Sequence, residues 1–108
     1  MHRTPGDERQ GAEDGASDIH FEPQEDGLVV RFRVDGVLQE VQRIPKRMTP
    51  GVTTRLKVLA KLDIAERRKP QDGRISMEVE GRPIDLRVAT LPAQYGENVV
   101  MRILDQSK

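Results

Sequence analysis

Leu28, Val30, Phe32 and Val34 recur at every second position, Arg31 and Arg33 occupy positions between them, and Asp35-Gly36 follows at once. Period-two alternation with a charged second face describes a strand buried on one side only. Asp-Gly accepts the two positive φ values of a tight hairpin turn, so residues 37–44 are expected back as an antiparallel partner. Whatever else the chain does, it must build a sheet with one covered face and one open face.

The same alternation recurs along the chain. Ile19 and Phe21 share a face in residues 17–22; Ile75, Met77 and Val79 do so further on. Ile84, Leu86 and Val88 point one way, with Asp85 and Arg87 on the other. Val99, Met101 and Ile103 alternate with Val100, Arg102 and Leu104. Residues 81–83 and 92–97 read as the connections. Between the two halves lies a helix, with Thr49 as its N-cap and Pro50 at its first position. Val52, Leu56, Leu59 and Leu62 form the expected apolar stripe, with Arg55, Lys57 and Lys61 off it. In residues 60–74 this helical pattern ends in a burst of charge, Arg67-Arg68-Lys69, whose cations would complement the helix dipole. Pro70 and Gly73 then force the chain into a strand, and Asp72-Gly73 is expected as a turn with Gly73 at positive φ. The order is β-β-β-α-β-β-β, an α+β domain with a mainly antiparallel sheet of about six strands and one principal helix.

Composition excludes more than it assigns. A chain of 108 residues supports one core. With no Trp, one Tyr and two Phe, that core must be aliphatic. Eighteen basic residues balance eighteen acidic ones, which removes the electrostatic footprint of a nucleic-acid binder. The absence of Cys excludes disulfides and thiolate metal sites and suits a cytoplasmic protein. No apolar run reaches bilayer-spanning length. Residues 1–15 are polar and without periodicity, and read as a disordered tail or an expression remnant. There is no G-x-x-x-x-G-K-[ST] phosphate loop and no G-x-G-x-x-G. The serines have only His20 as a possible base, and His20 reads as a surface strand residue. No catalyst is expected from these residues alone.

Six ordered blocks carry a resemblance: Ala-Ser-Asp-Ile-His-Phe-Glu-Pro (16–23), Arg-Phe-Arg-Val-Asp-Gly-Val-Leu (31–38), Ala-Lys-Leu-Asp-Ile-Ala-Glu-Arg-Arg (60–68), Pro-Gln-Asp-Gly-Arg-Ile (70–75), Asp-Leu-Arg-Val-Ala-Thr-Leu-Pro (85–92) and Gly-Glu-Asn-Val-Val-Met-Arg-Ile-Leu (96–104). Together they resemble the secretion ATPase family of type II secretion and type IV pilus assembly. The resemblance implies a PAS-like domain over residues 16–105, lying just before a RecA-like ATPase domain, with 106–108 the start of a linker toward it. The family's Walker A and acidic boxes would lie beyond Lys108. Asn98 stands where many members carry Arg.

The resemblance further implies that Arg87 and Arg102, and with them Arg74, face ATP phosphates once the ATPase domain is present. It makes Arg67, Arg68 and Lys69 an interface. ATP with Mg is the implied cofactor of the full-length protein, with none expected for the isolated domain and no metal held by this chain. Implied partners are the chain's own RecA-like domain, neighbouring subunits of a hexamer and inner-membrane platform components; nucleic acid and direct membrane insertion are not implied. The implied location is cytoplasmic, at the inner membrane through partners. The residues alone allow plainer readings: Arg87 or Arg102 paired with Asp85 or Glu97, and Arg74 paired with a nearby carboxylate. Two other functions stay open, an autonomous module docking a platform component and a small-nucleotide sensor using Arg67, Arg68 and Arg74.

Overall fold

The computed structural model describes residues 16–105. Six strands form one antiparallel sheet: β1 (Ala16–Gln24), β2 (Gly27–Val34), β3 (Val37–Pro45), β4 (Gln71–Val79), β5 (Arg82–Ala93) and β6 (Gly96–Asp105). Their spatial order is β3-β2-β1-β6-β5-β4, so β1 and β6 are the central pair. A short 3₁₀ turn, Lys46–Met48, leads into the one α-helix, α1 (Thr49–Leu59). This is the expected α+β architecture. Asp35 (φ 53°) and Gly36 (φ 81°) make the hairpin turn that the sequence called for. Glu80 and Gly81 repeat the device between β4 and β5.

Alternation decides which face is covered. Ile19, Val30, Phe32, Ile84, Leu86, Val88, Val99 and Met101 are buried in one cluster with Ala60, against which Leu56 and Leu62 pack. The opposite face, carrying the arginines, has no helix over it. Met77, expected to point in, is 36% exposed because β4 is the sheet edge.

The helix is rotated by about one residue from the stripe expected. Lys57 and Ala60 are buried on its inner side with Val52, Thr53 and Leu56 half-buried, while Val58 and Leu59 are exposed. Leu59 is therefore not core, and Lys57 is not an outer residue. The physical reason is a carboxylate waiting inside, Glu97, which makes burial of an ammonium tolerable. The start is also shifted by one: Met48 is the N-cap, without a side-chain cap bond.

The helix ends earlier than the sequence suggested. Leu62 N–H donates to Lys57 O (2.8 Å) and Lys61 N–H to Val58 O (3.0 Å), with Lys61 at φ 61°, which is a Schellman stop. Arg67, Arg68 and Lys69 thus lie in a connection beyond the helix and cannot act as cations at its C-terminus. Glycine suits such a left-handed position better than lysine. Lys61→Gly is expected to raise stability by about 0.5–1 kcal/mol, read by urea denaturation.

That connection is tied down at both ends. Gln71 accepts from Asp63 N–H (2.9 Å) and donates to Asp63 O (2.9 Å) and Glu66 O (3.3 Å). Gly73 is not the positive-φ turn residue expected; it lies inside β4. Its role is close approach. A Cβ there would stand 2.5 Å from Ala60 O and 2.8 Å from Leu62 Cδ2. Gly73→Ala is expected to cost about 1–3 kcal/mol, since backbone has to move to admit it. The same denaturation measurement checks it.

Candidate functional site

The open face carries an unusual row. Cα partners across the strands run Arg33–Asp18, Asp18–Arg102, Arg102–Arg87 and Arg87–Arg74. Neighbouring strands lie about 4.8 Å apart, so the roots of Arg74, Arg87 and Arg102 fall within roughly 10 Å. Like charges directly opposite one another destabilise a sheet. Three in a row is a local conflict that folding alone does not explain.

The neighbouring carboxylates do not resolve it. Asp85 accepts from Arg74 Nη2 (2.7 Å) and Ser76 Oγ (2.8 Å). Glu97 faces the other side of the sheet and is held by Lys57 Nζ (2.9 and 3.1 Å). Neither pairs with Arg87 or Arg102, which are exposed and make no ion pair with any described residue. Arg74 does have the carboxylate partner that the plainer reading allowed. Asp18 is buried at the far end of the row, 2.8 Å from His20 Nε2 and 3.4 Å from Arg33 Nε. His20 is thus not a free surface residue, being 17% exposed between Asp18 and Glu22 (3.8 Å). These contacts neutralise the β1–β2 end, and the uncompensated charge concentrates over β5 and β6.

Arg67, Arg68 and Lys69 do not join this row. Arg67 lines a cavity on the helix side with Thr49, Lys57 and Glu97, whereas Arg74 projects from the opposite face. Arg68 is 90% exposed, and its backbone N–H donates to Glu66 Oε2 (2.9 Å). A ligand contacting Arg67 and Arg74 together, as a small-nucleotide sensor would need, has no common surface here. Among the described residues no cluster of three or more His, Asp or Glu could hold a metal ion, and no helix is long and apolar enough to cross a membrane.

The sequence reading missed the Lys57–Glu97 pair. A signal was present, because Glu97 is in phase with Val99 and Met101 on the covered face of β6. A carboxylate in that phase demands a cation from whatever covers it.

A family model described as Type II/IV secretion system protein matches residues 9–108. The chain belongs to this family. Type II/IV secretion system relatives match it closely. The type II secretion system protein HxcR of Pseudomonas aeruginosa is 56% identical over 97 residues, 90% of this chain and 21% of the relative. Type II secretion system protein E of Xanthomonas campestris is 58% identical over 91 residues, 84% of this chain and 16% of the relative. Type II secretion system ATPase E of Vibrio cholerae is 53% identical over 98 residues, 91% and 20% respectively. This type II/IV secretion chain therefore spans about a fifth of the length of the curated relatives it matches.

Proposed function

We propose that the chain is a non-catalytic, PAS-like domain of a hexameric type II secretion or type IV pilus assembly ATPase. It packs on a RecA-like domain of the same protein and presents Arg87 and Arg102 to the phosphates of ATP bound there with Mg. The observation that carries this reading is the in-register row of arginines on the open face, with two guanidinium groups lacking any carboxylate partner among the described residues. A polyanion relieves the repulsion that the row creates. Guanidinium is always charged, and its planar fork matches phosphate oxygens in pairs. Arg74, already tied to Asp85, adds positive field more than a free fork.

Closure of the domain on ATP changes how it sits on the motor, and that difference is what passes to neighbouring subunits. Arg67, Arg68 and Lys69, exposed on a connection that Gln71 and Lys57 hold in place, supply contacts to a neighbouring subunit or to the ATPase domain. The complete machine works on the cytoplasmic side of the inner membrane, reaching it through platform components. The test is ATP turnover by the full-length protein carrying Arg87→Ala or Arg102→Ala. Unchanged turnover in both variants removes the role assigned to the row.

A further inference from the structure

The helix side of the domain holds a second polar site, unconnected with the open-face row. A cavity of about 180 Å³ lies between the first turns of α1, the connection after it and the turn joining β5 to β6. Thr49, Thr53 and Thr54 line one wall, Arg67 lines another, and the Lys57–Glu97 pair closes it. Lys57 and Glu97 cancel each other's charge at 2.9 Å. Arg67 is exposed and has no ion pair with any described residue, so the lining carries one uncompensated positive charge. Thr49 Oγ1 is inaccessible to solvent and has no hydrogen-bond partner. A buried hydroxyl in that state carries a desolvation penalty that a ligand or an ordered water must answer.

We infer that this cavity binds a phosphoryl group. A water could satisfy Thr49 but would leave the Arg67 charge unanswered. A carboxylate offers two oxygens in one plane, whereas three hydroxyls and a guanidinium on different walls call for acceptors in several directions. A tetrahedral phosphoryl group provides them, with enough charge for strong bonds from Arg67. The first turn of α1 lies along the same wall and carries no acidic residue to compete. The volume admits a group of phosphate size but not an intact nucleotide, so any nucleoside part would sit outside against Tyr95 at the rim.

The experiment is an NMR titration of the ¹⁵N-labelled chain with inorganic phosphate and, in parallel, AMP, with potassium chloride holding ionic strength constant. Saturable shifts are expected in the backbone amides of Thr49, Thr53, Thr54, Gly96 and Glu97. Arg67→Gln is expected to weaken binding about tenfold or more, the loss that goes with one charge-assisted contact. Arg87→Gln, on the other face, is expected to leave it unchanged. Saturation by phosphate alone assigns the site to the free ion, and saturation by AMP as well extends it to phosphate monoesters; either supports the proposal. Absence of saturation, the same shifts with chloride alone, or indifference to Arg67→Gln overturns it.

Discussion

Arg87→Ala and Arg102→Ala are each expected to lower ATP hydrolysis by the full-length protein about 10³-fold or more, the effect of removing an arginine from a transferring phosphoryl group. The isolated domain should meanwhile lose no stability. Both side chains are exposed and neither has a carboxylate partner among the described residues, so truncation breaks no ion pair there. Arg87 stands opposite Arg102 on one side and Arg74 on the other. Its removal relieves two like-charge contacts, and the melting point of Arg87→Ala should be unchanged or slightly raised, by the equivalent of about 0.2–1 kcal/mol. A residue whose loss stabilises the fold while disabling the enzyme is one retained for chemistry. Arg87→Lys separates charge from geometry: it keeps the cation but not the paired donors, and should recover only part of the lost rate. Full turnover in both alanine variants, or unfolding of the domain in either, would remove the proposed role.

Much of this site was legible before any coordinates. Alternation placed Arg87 opposite Leu86 and Val88, and it placed Arg102 opposite Met101 and Ile103, so both were assigned to the polar face correctly. Their juxtaposition was not legible. It depends on a register that puts residues 15 apart in sequence face to face, set by a β5–β6 hairpin whose strands run closer to the turn than residues 92–97 suggested. Helix faces were less legible than sheet faces. The stripe through Leu56 and Leu59 is sound for an isolated amphipathic helix, but the helix that forms buries Lys57 and leaves Leu59 out. Tertiary context overrode the apolar pattern because one carboxylate on β6 repays a buried ammonium. Helix length was misjudged for a related reason: the stop falls on Lys61, a residue that does not advertise a left-handed position as glycine would.

Lys57→Met is expected to cost about 3–5 kcal/mol, because it strands the Glu97 carboxylate at 5% exposure with no cation to answer it. Domains of this size are stable by about 5–15 kcal/mol, so a single substitution of this kind removes a large share of the total. Part of the loss is local. Lys57 Nζ also donates to Glu66 O (2.7 Å), and its removal frees one of the ties on the connection that carries Arg67. Glu97→Leu alone should be similarly costly, leaving an unpaired ammonium beneath the sheet. Combining Lys57→Met with Glu97→Leu should recover most of the stability, since two apolar side chains of similar length fill the site without a charge to desolvate. A double-mutant cycle by urea denaturation measures the coupling. Single-variant costs below about 1 kcal/mol would mean that the pair behaves like a surface ion pair, contrary to its burial. If the double variant folds well yet no longer binds phosphate at the cavity beside it, the pair's part is to shape that wall and hold Arg67 in place, and stability is incidental to why it is there.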